Sequence, residues 1–290
     1  MATSNGARVS FSIPLLETGL SAAAAFLWTT LLLGCSHLIQ ALEMIFVRSD
    51  WSDTHGVWRW GTLRKEYLHL PKPLLKTADT LLCEKGFLLT QWARTLAAAA
   101  LLANGFIAFP AWLLMSSLWL VLVGSLLTSI RWRGAYNGGS DSMTLVVTLP
   151  VTLAVTLGSA TALAIAYGYI TLQLTLSYFV AGWVKLRERD WRTGRALPIF
   201  LATPQYSAPA WAITRLNQSP LLATLTSWAV MLFELSFPLA FSSPHLLLFF
   251  LAVAFLFHGL NAYLLGLNRF VFAWISAYPG ALLIYQLLLS

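Results

Sequence analysis

The feature that most constrains this chain is a succession of apolar runs, each long enough to cross a bilayer and each bounded by polar or basic residues. A helix needs about 20 mostly apolar residues to span the hydrocarbon. Eight stretches satisfy this: Leu20–Val47, Phe87–Phe109, Ala111–Ile130, Met143–Leu157, Thr161–Val184, Leu221–Phe241, His245–Leu267 and Phe270–Leu289. The fourth and fifth come from one apolar stretch too long for a single helix, and "LGSATA" around Gly158 and Ser159 supplies the tight turn that divides it. Pro279 and Gly280 are expected to bend the eighth. With only 10% charged residues against 58% hydrophobic, the chain has too little polar surface for a water-soluble globule. The expected fold is therefore all-α: a polytopic transmembrane helix bundle of about eight spans with no soluble domain.

The charges agree with that count. Sixteen of the eighteen Lys and Arg residues fall at one set of span ends, between spans one and two, three and four, five and six, and seven and eight. Only Arg8 lies at the opposite ends, and Arg94 lies within a span. The positive-inside rule places the sixteen in the cytoplasm and both termini on the non-cytoplasmic side. The formal charge of +7 is thereby accounted for by orientation in a lipid bilayer, with no nucleic acid partner implied. The N-terminus lacks the basic region and small-residue cleavage site of a signal peptide. Cys35 and Cys83 form no disulfide framework, and no Cys/His spacing suggests a metal. Residues 1–86 read as a first span followed by a cytoplasmic segment. Its "PKPLLKTADTLL" part reads equally as an amphipathic surface helix or as a solvated loop.

Ionisable groups at membrane depth are costly, by about 2.5–3.5 kcal/mol on insertion scales, and mark functional sites by default. The candidates are His37 and Glu43 in span one, Arg94 in span two, Glu234 in span six and His258 in span seven, with Lys185 at the end of span five. Glu43 and Arg94 can neutralise one another across two helices. Composition alone favours Lys185 as an interfacial residue whose stem snorkels. Glu234, deep in "WAVMLFELSFPLAF", needs a partner or a proton. Asn261 shares the face of His258 at i+3. "NGGSD" at Asn137–Asp141 reads as a Gly-rich turn at the mouth of span four, either a plain connection or a cradle for an oxyanion. Nucleophile elbow, P-loop and dinucleotide fingerprint are all missing.

Three stretches together resemble vitamin K-dependent gamma-carboxylases and their bacterial relatives, the HTTM (horizontally transferred transmembrane) family. They are "YFVAGWVKL" followed by "DWRTG", "FHGLNAYLLGLNRFVFAWISAYP", and "YNGGSD" opening a span. The resemblance runs from about Phe87 to Ser290, which makes residues 87–290 a carboxylase-like transmembrane core. It implies that Lys185 is the base that deprotonates a hydroquinone. It also implies that His258 and Asn261 line the same cavity, and that Glu234 is the acidic residue one helix earlier. Asn137 matches the Asn of the span-opening turn. The aromatic side chains Tyr178, Phe179 and Trp183 are expected to pack on the substrate ring. The cofactor class so implied is a quinone or hydroquinone, and the compartment a bacterial inner membrane. The departures are specific. No histidine follows Asn137, and the chain ends just after its last span, with no extramembrane domain to grip a protein substrate. Protein-glutamate carboxylation is therefore not expected. Two functions remain open: an enzyme acting on a lipophilic acid such as a quinol, and a non-catalytic accessory subunit docking with other membrane subunits of a larger, electron-transfer type complex.

Overall fold

The computed structural model describes residues 20–204, 206 and 208–289; the N-terminal stretch with Arg8, and the expectation made for it, lies outside them. Every regular element among the described residues is helical. Eight helical segments are long and apolar enough to cross a membrane, so the protein is an integral membrane protein of the expected all-α class. The spans are α1 (Ala22–Phe46), α3 (Glu84–Ala103), α4 (Ala111–Arg131), α5 (Gly138–Leu157), α6 (Ala160–Arg187), α8 (Pro220–Ser236, extended by a 3₁₀ turn Phe237–Ser242), α9 (Pro244–Leu265), and the broken pair α10 (Asn268–Ile275) and α11 (Tyr278–Leu289). Of the shorter helices in the polar connections, the two longest are α2 (Lys72–Leu82) and α7 (Ala210–Gln218). Contacts divide the chain into two compact units, one over Leu20–Ala166 and one from Tyr167 onward. The division falls within α6.

The breaks follow from local chemistry. Gly158 closes α5 at φ 63°, a left-handed conformation that glycine adopts without cost. The eighth span interrupts at Ser276 and Ala277, just before Pro279. That proline lacks an N–H, and its ring collides with the carbonyl four residues back, at Ile275. One boundary differs from expectation. The fourth span begins at Gly138, not Met143, because "NGGSD" is wound into the helix. The Asp141 carboxylate accepts a hydrogen bond from the Asn137 backbone N–H at 2.8 Å, and the Asp141 N–H donates to the Asn137 carbonyl at 2.9 Å. The glycines therefore form the first turn of α5 and not an open cradle.

In the first unit, the segment after α1 folds over its own core of Trp51, Trp60, Leu63, Leu82 and Phe87. Residues 72–82 form a helix, which sets aside the solvated-loop reading. Leu75, Ala78, Asp79 and Leu82 recur at helical spacing on its covered side, and Lys72, Leu74 and Lys76 are exposed. Asp79 accepts from Trp60 Nε1 at 2.9 Å and from both arms of Arg64 at 2.6 and 2.9 Å. The Arg64 bond, then that of Trp60, holds its carboxyl below the usual value of 3.8. A depressed folded pKa contributes stability that is present above the ordinary carboxylate range and is lost as pH falls through the folded value. Amide exchange over residues 60–82 is therefore expected to accelerate on acidification below about pH 4. Asp79→Asn is expected to exchange fast already at neutral pH and to lose the acid step. An acid step of unchanged size in that variant would rule Asp79 out as its origin.

Candidate functional site

The first unit carries a polar cluster at membrane depth, assembled from four spans. On α1, Ser36, His37 and Gln40 are all buried. Across from them on α5, Thr144 Oγ1 meets Ser36 Oγ at 2.8 Å, Thr148 Oγ1 meets His37 Nε2 at 2.9 Å, and Asp141 Oδ1 accepts from Gln40 Nε2 at 2.7 Å. Arg94 on α3 is fully buried. Its guanidinium donates to Gln91 Oε1 and Thr128 Oγ1 at 2.8 and 3.0 Å, to Ser125 Oγ at 3.0 Å, and to Gln40 Oε1. Glu43 is the counter-charge suggested by sequence. The structure adds these four neutral acceptors and, through the Gln40 amide, a second carboxylate in Asp141. A buried charge is tolerated when it is hydrogen-bonded, and these neighbours engage both terminal nitrogens of the guanidinium. Asn137 belongs to this unit, as the N-cap of α5.

The second unit holds the other candidates. Lys185 Nζ donates to both carboxylate oxygens of Glu234 at 2.8 Å. Glu234 is 3% exposed and Lys185 20%. Glu234 lies fourteen residues after Pro220 and eight before Ser242, about 21 Å along α8 at a rise of about 1.5 Å per residue. Its partner is thus held near the middle of the sixth span. Lys185 stands two residues before the C-terminal end of α6, and its ammonium is turned onto Glu234. Gly182, one turn before Lys185, makes the approach possible. A Cβ there would stand 2.7 Å from the Leu235 backbone nitrogen and 2.9 Å from Glu234 Cβ. Trp191 covers the ammonium from the other side, its ring centre 5.3 Å from Nζ.

Seven residues before Lys185, and so on the same face of α6, Tyr178 is buried and its hydroxyl meets His258 Nε2 at 2.6 Å. Tyr178 stacks on Phe237 at 4.2 Å between ring centres, and its ring lies 4.9 Å from Trp274. His258 stacks on Trp274 at 4.7 Å. His258 Nδ1 and Trp274 Nε1 are buried and have no hydrogen-bond partner among the described residues. Buried polar atoms are nearly always hydrogen-bonded, so both stand out in this aromatic cluster. Asn261 sits one turn further along α9, half-buried. Trp183 and Phe179 point away from this face and are exposed, so of the three aromatic residues expected to pack on a substrate ring only Tyr178 faces the interior. Trp274 and Phe237 are the rings that pack on Tyr178 there. Neither carries a sequence signal beyond its position in an aromatic run.

Residues 148–284 match the family model described as HTTM domain. Over that range the chain is similar to an HTTM domain. The match takes in Tyr178, Lys185, Glu234, His258, Asn261 and Trp274. It begins later than the resemblance from Phe87 that the sequence suggested, and it leaves Asn137, Arg94 and His37 outside. No curated protein and no solved structure matches the chain. No group of three or more His, Cys, Asp or Glu side chains suited to a metal ion occurs among the described residues, and Cys35 and Cys83 are free thiols.

Proposed function

We propose that the HTTM unit is a membrane-embedded acid–base site for a lipophilic hydroxyl of the hydroquinone type, and not a protein-glutamate carboxylase. The observation that supports this reading most is the closed Lys185–Glu234 pair at mid-level of α8. A neutral pair of this kind can take up one proton. As a substrate hydroxyl gives its proton to Lys185 Nζ, one of the ammonium's own protons passes along the 2.8 Å hydrogen bond to Glu234. The products are a substrate oxyanion, an unchanged ammonium beside it and a neutral carboxylic acid. The ammonium stabilises the new charge where water is excluded. Tyr178, His258 and Trp274 form the aromatic wall for the ring, with His258 Nδ1 as donor or acceptor and Trp274 Nε1 as donor for its polar substituents. Asn261 orients the ligand from the same helix as His258. In this reading the basic connections between the spans face the cytoplasm of a bacterial inner membrane.

The test is the hydroquinone anion formed on binding, read from its ultraviolet shift at fixed pH with the purified protein. Glu234→Gln keeps a side chain of the same shape but cannot accept the proton. It is expected to cut anion formation by roughly a hundredfold while hydroquinone still binds, and Lys185→Ala is expected to do the same. Wild-type levels of anion in both variants would end the acid–base reading. If the wild type forms no anion, and Lys185→Ala instead blocks assembly of a larger membrane complex, the accessory-subunit reading takes its place.

A further inference from the structure

The segment after Lys185 carries four arginines, Arg187, Arg189, Arg192 and Arg195, against two carboxylates, Glu188 and Asp190. Arg187, Arg189 and Arg192 are all exposed. Arg192 caps α6, its Nη1 donating to the carbonyls of Leu186 and Arg187 at 2.7 and 2.8 Å. The nearby Asp190 is engaged by Arg195 at 3.3 Å. Among the described residues, Arg187 and Arg189 make no ion pair.

Their level in the membrane follows from what the segment rests on. Trp228 Nε1 donates to the Arg192 carbonyl at 3.2 Å, and Thr224 Oγ1 to the Thr193 carbonyl at 3.2 Å. Gly194, at φ 74°, seats the chain so closely that a Cβ would lie 2.4 Å from the Thr224 nitrogen. Thr224 and Trp228 stand four and eight residues into α8, about 6 and 12 Å past its start. At that level the outward side chains of α8 are apolar, since Leu221, Leu222 and Leu225 are exposed. The backbone from Arg192 to Gly194 is therefore tied to a height at which the outward side of α8 is apolar, so Arg187 and Arg189, just before it, are not carried on a loose loop. A guanidinium at that depth is costly unless an anion meets it. Phosphate is the anion its planar fork fits best.

We propose that Arg187 and Arg189 form a recessed headgroup site for an anionic phospholipid of the surrounding leaflet. The two guanidiniums hold the phosphate, and the acyl chains lie along the exposed apolar lane of α6 formed by Phe179, Val180 and Trp183. That lane is what distinguishes a lipid from a free phosphate ion, and it gives the outward-facing Trp183 a partner. The site is separate from the Lys185–Glu234 pair and does not depend on the chemistry there.

The experiment is native mass spectrometry of the purified full-length protein titrated with phosphatidylglycerol or phosphatidylcholine. The wild type is expected to retain phosphatidylglycerol about tenfold more strongly. Arg187→Gln with Arg189→Gln is expected to abolish that preference, and Lys72→Gln with Lys76→Gln, in the basic segment of the first unit, to leave it intact. A wild type that does not prefer phosphatidylglycerol overturns the proposal whatever the variants do. So does an equal loss in the Lys72/Lys76 variant, which would show unspecific charge attraction. Displacement of the lipid by millimolar inorganic phosphate would replace the lipid assignment with a free-anion site.

Discussion

Replacing Glu234 with Leu is expected to lower stability by about 3 kcal/mol, and adding Lys185→Met in the same chain to recover most of that loss without restoring proton abstraction. Removing one member of a buried pair typically costs about 3–5 kcal/mol, because the other charge is left without compensation. The lower end applies here because Lys185 retains 20% exposure, so part of its charge stays screened. Replacing both members by apolar side chains of similar length removes the desolvation penalty together with the attraction, and such swaps are often neutral. The double variant also preserves the close approach at Gly182, since neither substitution adds volume there. Thermal unfolding in detergent of the wild type, both single variants and the double variant closes the cycle. A double variant as unstable as the sum of the singles would mean that the two side chains do not compensate one another. If the double variant folds well but forms no hydroquinone anion, the pair is retained for chemistry and not for stability.

What was legible in the sequence, and what was not, divides along the range of the interaction. The eight spans follow from apolar run lengths. Their breaks at Gly158 and before Pro279 follow from backbone chemistry local to each residue, which needs no knowledge of the rest of the fold. The depth of Lys185 is different. Its sequence neighbours on one side are apolar and on the other basic, which describes an interface. Only its bond to Glu234, 49 residues later, shows that its ammonium is held against α8. Trp183 shows the same limit from the other side: it belongs to the motif that points to Lys185, yet the turn of α6 carries it to the opposite face. Asn137–Asp141 looked like an open turn because two glycines suggest one. The cap between Asp141 and Asn137, with Gln40 holding the other carboxylate oxygen, outweighs that local preference. The partners of Arg94 were the least legible. Gln, Ser and Thr occur in apolar helices without a distinctive pattern, and nothing in their spacing indicates that four of them converge on one guanidinium.

That convergence leads to the second large effect. Gly124 on α4 is expected to be nearly intolerant of a side chain for one reason only, the path of Arg94. A Cβ at Gly124 would stand 2.2 Å from Arg94 Cδ and 2.3 Å from Cγ, so the stem must move, and with it the bonds to Gln40, Gln91, Ser125 and Thr128. Arg94→Met is expected to cost about 3–5 kcal/mol, the range for breaking a buried charged network. Gly124→Ala should approach the same figure, since it displaces the same group without deleting it. The two together should cost far less than their sum, with a coupling of about 1–3 kcal/mol, because methionine is unbranched and can bend around the new methyl. Thermal unfolding of the four proteins measures that coupling. Strict additivity would place the cost of Gly124→Ala in its own helix and detach it from Arg94. Strong coupling would show that the glycine exists to let an intramembrane arginine reach its four acceptors, and that the first unit's stability depends on this contact more than on its apolar packing at the same level.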